Sequence, residues 1–293
     1  YDLQKQDMPD LGRYIPSTNS IPALAPPVPD PAAILEAAEL LAGAKRPLVL
    51  GGRGVFKGGA TATVEALAER LGALLANSLP ARGLFDSNRW SLGICGGYAR
   101  PTLAPIFAAS DVVVAFGARL SYYQMAGGNI FPDAKVIKIG LDEEGLTDSL
   151  HTGDQHIRAD AKLAANALLA ALDARTLASV ARDAETAAAI AEAPVDPMDF
   201  QVAPGTLNPV RMFAELAKVV PKDFDTVCGT GHHAYYHTHM RGYDPRRYHH
   251  MRPFGAVGNS LAHAIGVAAA RGDGRVVLFE GDGSLLMYIQ ELE

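Results

Sequence analysis

The chain has 293 residues, 48% of them hydrophobic and 20% charged, enough apolar material for more than one packed core. Lys+Arg total 26 against Asp+Glu 32, a formal net charge of -6, so there is no basic footprint for nucleic acid. No apolar run approaches the ~18–20 residues that span a bilayer, no signal peptide is visible, and Cys95 and Cys228 fit no metal spacing; buried free thiols in a reducing, cytoplasmic setting are expected.

Residues 1–30 are rich in proline and polar side chains and read as a linker from a preceding domain. Asp30-Pro31 supplies an N-cap and a first-turn proline, and Ile34, Ala38 and Leu41 give the helix that follows one apolar face. Pro47 to Gly51 reads as a buried strand, Lys57 to Gly72 as a helix with Val64, Leu67, Ala68 and Leu71 on one side, and Ala73 to Asn77 as a short strand. Asp111 to Phe116 runs apolar without alternation, as strands do in parallel sheets covered on both faces. Lys135 to Ile139 is a further strand, and Ala161 to Leu172 a closing helix. This succession predicts a doubly wound α/β domain over 31–175, of Rossmann-like type. An alanine-rich then proline-rich stretch, 176–205, reads as a surface helix and a connection. Asn208-Pro209 opens a second, partial α/β unit over 206–293, with strands Asp225 to Cys228 and Arg275 to Phe279.

The strongest chemical signal is the run Val276 to Met287. A buried strand ends in Gly281-Asp282-Gly283-Ser284, and a helix follows at once, with Leu285, Ile289 and Leu292 along one side. Glycines let a backbone approach phosphate oxygens, helix N–H groups point at an anion, and a carboxylate at such a turn suits Mg²⁺. A plain β-turn is the competing reading. The chain carries its own control: Gly272-Asp273-Gly274 follows a helix and precedes a strand, so it reads as a turn only.

Gly281 to Leu292 resembles the cofactor motif of acetolactate synthase and its thiamine-diphosphate-dependent relatives. Phe254-Gly255-Ala256-Val257-Gly258 to Gly266 resembles the same family, as does the strand Asp111 to Phe116 running into Gly117-Ala118-Arg119. The resemblance implies a central domain followed by the first half of a diphosphate-binding domain, with thiamine diphosphate and Mg²⁺ as cofactors and a 2-oxo acid as substrate. It implies that Asp282 holds Mg²⁺, that Gly283 and Ser284 contact the diphosphate, and that Gly281 and Met287 also bind the cofactor. Gly255, Ala256 and Val257 fall where the family shapes the cofactor, Val257 at the bulky apolar position beneath it. Gly231-His232-His233 falls where the family has Gly-Gln-His near the diphosphate, with His232 a departure from that pattern. The family's second magnesium ligand and its pyrimidine-binding domain both fall outside residues 1–293, so the fragment alone is expected to be inactive. Family members are homodimers or homotetramers.

Two signals rank lower. Seven of nine histidines fall between 232 and 263, but no cysteine or carboxylate completes a zinc set with them. Gly51-Gly52-Arg53-Gly54 follows the first strand and invites a dinucleotide reading, with FAD or ADP as ligand and a nucleotide-binding module as the alternative function. Its spacing departs from G-x-G-x-x-G, and Leu120-Ser121-Tyr122-Tyr123-Gln124 stands where flavin-dependent members carry an acidic and arginine-bearing segment, which weighs against FAD.

Overall fold

A computed structural model describes residues 16, 19, 21, 24–141, 153–198, 201–250 and 255–292. Most of the expected linker 1–30, Phe254 and Glu293 therefore lie outside the described residues.

Helix α1 (Pro31–Gly43) starts as its sequence dictates: the Asp30 side chain accepts from the Ala32 N–H at 2.8 Å, and Ile34, Ala38 and Leu41 are buried. Strand β1 (Pro47–Gly51) is buried throughout. The helix expected over 57–72 begins later, as α3 (Thr61–Leu71), and a separate short helix, α2 (Arg53–Lys57), precedes it. Gly58-Gly59 makes the break, with Gly59 at φ 61, a left-handed conformation that favours glycine. Next come β2 (Leu74–Asn77), β3 (Ser91–Ile94), α4 (Ala104–Ala108), β4 (Val112–Phe116), β5 (Lys135–Gly140), β6 (Gln155–Arg158) and α5 (Ala161–Leu172). All pairings are parallel, in the order β3-β2-β1-β4-β5-β6, with β1 and β4 at the centre. Strand alternation splits the core. Val49, Val114 and Phe116 pack with α1, α3 and α5 on one face, while Leu48, Leu50, Val113 and Ala115 face Phe107, Phe131 and Ile190 on the other. Ile190 comes from α6 (Ala184–Glu192), the helix expected within 176–205.

The second sheet is smaller, of order β8-β7-β9 and also parallel. Helix α7 (Pro209–Val219) is capped by Asn208, whose side chain accepts from the N–H groups of Val210 at 2.9 Å and Arg211 at 3.3 Å. Strand β7 (Asp225–Cys228), helix α8 (His233–Thr238), strand β8 (Tyr248–His250), helix α9 (Ser260–Arg271), strand β9 (Val276–Phe279) and helix α10 (Asp282–Leu286) follow. Phe213, Phe279, Met240 and Tyr243 form its core. The control turn behaves as a turn: Gly272 and Gly274 have φ of 69 and 71, and Asp273 binds Arg271 and the Arg275 N–H. The helix expected to run on through Leu292 stops at Leu286 and gives way to a 3-10 turn, Ile289–Leu292. Leu285, Ile289 and Leu292 are exposed, so no packed face holds the helix together there.

Candidate functional site

The C-terminal ends of β7 and β9 lie side by side, with Cys228 paired to Phe279. The chain leaves β7 through Gly229-Thr230-Gly231 and enters α8, and it leaves β9 through Glu280-Gly281 and enters α10. Two of the expected site segments are thus brought together by strand register alone. His233 marks the junction. A Cβ on Gly231 would sit 2.8 Å from its ring, and one on Gly281 would sit 3.6 Å from its Nδ1. The adjacent His232 is exposed.

The third segment joins them from the start of α9. Gly258, buried at φ 94, donates its N–H to Ser284 Oγ at 2.8 Å. A Cβ on Gly258 would crowd Tyr288 at 3.0 Å and Met287 Sδ at 3.1 Å, and the positive φ favours glycine at this close approach to the end of α10. Ser284 is buried by this contact, while Asp282, Gly283 and Met287 stay exposed and nothing lies within 4 Å of the Gly283 Cβ position. The first-turn N–H groups of Asp282 and Gly283 have no acceptor within their helix. Gly255 and Ala256 lead into this loop, and Val257 is 48% exposed beside it. The arrangement suits a diphosphate: an open glycine turn, an exposed carboxylate, and an apolar side chain to one side.

The remaining histidines do other work. Among the described residues, no three His, Cys, Asp or Glu side chains come together as a metal site. His237 is buried with its ring 4.3 Å from the Phe279 ring and 5.4 Å from that of Tyr248. His249 Nε2 lies 2.7 Å from Asp225 Oδ1, at the opposite end of β7 from the glycine turn. Burial, helped by the Arg100 and Arg82 charges, pushes His239 down to about 4. Neither cysteine forms a disulfide among the described residues, both are buried, and burial pushes the Cys95 thiol up.

The glycine run after β1 is accounted for by packing. Gly52 N–H donates to Phe116 O at 2.8 Å and Gly54 N–H to Gly117 O at 3.2 Å, across the point where strand order reverses between β1 and β4. A Cβ on Gly52 would stand 2.1 Å from Gly117 O, and one on Gly117 2.5 Å from the Gly54 Cα. These glycines let two strand ends interlock where a nucleotide-binding fold would leave a crevice.

Sequence reasoning missed the residues that bind the two sheets to each other. Arg82, just past β2, is 1% exposed and reaches the Tyr248 ring of the second sheet. Asp86 Oδ2 accepts the Gly242 N–H at 2.7 Å, and Arg241 Nη2 donates to Asp86 O at 3.0 Å. No local pattern distinguishes such an arginine from a surface one.

Residues 34–168 match the family described as thiamine pyrophosphate enzyme, central domain, and residues 229–293 match its C-terminal TPP binding domain. The chain is similar to acetolactate synthase of Mycobacterium bovis, at 29% identity over 264 residues, covering 88% of this chain and 43% of the relative. It is equally similar to a probable acetolactate synthase large subunit of Methanocaldococcus jannaschii, at 29% over 302 residues, covering 99% and 50%. A sulfoacetaldehyde acetyltransferase of Castellaniella defragrans is 28% identical over 286 residues, covering 87% and 47%. The chain thus spans about half the length of the curated relatives it matches. Two matches in the family's own order, one on each parallel sheet, establish that the chain belongs to the thiamine pyrophosphate enzymes, with thiamine diphosphate as cofactor.

Proposed function

We propose that this chain is the central domain (31–175) and part of the diphosphate-binding domain (206–293) of an acetolactate-synthase-like enzyme. It would act on 2-oxo acids with Mg²⁺–thiamine diphosphate, as a carboligase or decarboxylase. The observation that carries this reading is the junction of three segments at one end of the β8-β7-β9 sheet, fastened by the Gly258 N–H to Ser284 Oγ bond of 2.8 Å. It sets an open glycine turn, an exposed Asp282 and a half-exposed Val257 beside one another.

When bound, the cofactor supplies a carbon nucleophile and an electron sink for the carbonyl chemistry. The chain's residues hold and orient it. Asp282 offers the carboxylate for Mg²⁺, which prefers an octahedral shell of oxygens shared with phosphate and water. Gly281, Gly283 and Ser284 would hold the diphosphate, with Gly231 and His232 contributing from the turn after β7. Gly255 and Ala256 would offer backbone to the cofactor, Val257 an apolar side chain to support it, and Met287 a further contact. The intact enzyme would be a cytoplasmic homodimer or homotetramer. This part alone, without the pyrimidine-binding side of the cleft, would be inactive.

The test is to incubate the intact enzyme with pyruvate, Mg²⁺ and thiamine diphosphate and to follow CO₂ release and acetolactate. Release of CO₂ that needs both cofactors supports the reading. CO₂ release without acetolactate selects the decarboxylase variant. No turnover of any 2-oxo acid by cofactor-loaded enzyme would overturn the substrate assignment.

A further inference from the structure

Glu280 stands immediately before the glycine turn. Glu280 Oε1 accepts the N–H of its own neighbour Gly281 at 3.1 Å. Its second oxygen, Oε2, is buried and has no hydrogen-bond partner among the described residues. Ser260 Oγ, at the first residue of α9, is in the same condition and is wholly buried. Both side chains press on one point. A Cβ added to Gly229 would lie 2.3 Å from Glu280 Oε1 and 2.7 Å from Ser260 Oγ. A buried carboxylate oxygen without a donor is costly, and a serine hydroxyl is a donor without a competing claim.

These side chains flank the turn on the side of Gly229. Gly229 continues the ladder to β9 by donating to Phe279 O at 3.1 Å. Glu280 holds the Gly281 N–H, Ser284 holds the Gly258 N–H at 2.8 Å, and two residues past Gly258 the chain reaches Ser260, whose hydroxyl shares the space over Gly229 with the Glu280 carboxylate. Fixing the Gly281 N–H fixes the peptide plane from which the next N–H groups of the turn are aimed. We propose that Glu280, seated against Gly229 and Ser260, is the positioning residue of the diphosphate turn. It presets the Gly281–Ser284 backbone for the cofactor's diphosphate without touching the reacting atoms. This rests on the function proposed above.

The experiment is calorimetric titration of the intact protein with Mg²⁺–thiamine diphosphate, beside kcat at saturating cofactor. Glu280→Ala is expected to weaken cofactor binding about tenfold or more while kcat at saturation stays within about threefold. Glu280→Gln keeps an oxygen acceptor for the Gly281 N–H and is expected to bind within about twofold of wild type. Gly229→Ala, whose Cβ displaces the carboxylate, should reproduce the Glu280→Ala defect, and the double variant should be no worse than either single one. If circular dichroism shows that Glu280→Ala does not fold, Glu280→Met keeps the volume, lacks both oxygens and carries the same expectation. Wild-type binding by Glu280→Ala or Glu280→Met, with binding lost in Asp282→Ala, overturns the proposal and leaves the site reading standing. A fall in kcat with unchanged affinity also overturns it. Wild-type binding by all of them, Asp282→Ala included, brings down the site reading itself.

Discussion

The Arg82 guanidinium carbon lies 4.3 Å from the centre of the Tyr248 ring, a cation held over an aromatic face between the two sheets. It is also 5.3 Å from the Tyr243 ring, and Nη2 donates to His237 O at 3.3 Å. Nε and Nη1 have no hydrogen-bond partner among the described residues, and burial lowers the pKa of this arginine. Arg82→Ala removes the contact and leaves a cavity, at an expected cost of about 3 kcal/mol in urea unfolding. Arg82→Met fills the space without a buried charge and should cost clearly less. Equal losses for the two would mean that the charge over the ring, not the volume, joins the sheets.

The glycine interlock at β1 and β4 makes a sharper claim. Gly52→Ala puts a Cβ against the backbone of Gly117 and Ala118, with nothing flexible to give way. A loss of about 3 kcal/mol or more is expected in thermal or chemical unfolding. Gly43→Ala is the control. That glycine ends α1 with open space around it, so alanine should be neutral or stabilise by about 0.5–1 kcal/mol.

Acid should destabilise the protein in two separate windows. His239 is held down to about 4 by burial and by the nearby Arg100 and Arg82 charges, against about 6.5 unfolded. With the folded value below the unfolded one, the unfolded chain takes the proton first. Its contribution is whole above pH ~6.5 and is lost as pH falls toward 4, by up to about 3 kcal/mol. Unfolding free energy measured from pH 7.5 to 4 should show this slope, and His239→Phe should flatten it.

The second window belongs to Asp225. Burial works to raise this carboxyl, but hydrogen bonds from Arg271 and His249 outweigh burial and leave it lowered. Here too the folded value lies below the unfolded ~3.9, so the stabilisation is present above that pH and is lost as pH falls below it. Asp225→Asn should lower stability at pH 7 by about 1–3 kcal/mol and weaken the acid limb below pH 4 in the same titration. An unchanged limb would assign it to other carboxylates.

Much of the fold was legible because hydrophobic runs and caps act locally. Asp30-Pro31, Asn208-Pro209 and the unbroken apolar strand ending at Phe116 all form what their patterns predict. The strands β3, β6 and β8 were not legible. Gln155-His156-Ile157-Arg158 and Tyr248-His249-His250 are short and polar, and they become strands only because a neighbour offers its edge. The helix expected through Leu292 failed for the converse reason: its apolar pattern finds no surface to pack on. The candidate site was legible only as three separate motifs. Their meeting through Ser284, Gly258 and His233 depends on register and crossover that no single segment encodes.

The most direct test of the proposed site is calorimetric titration of Mg²⁺–thiamine diphosphate into the intact protein and its Asp282→Ala variant, each confirmed folded by circular dichroism. Magnesium-dependent binding by the wild type, with at least a hundredfold loss, about 2.7 kcal/mol, in the variant, is the predicted result. Equal binding by the two would contradict the assignment of Asp282 and of the turn it sits in.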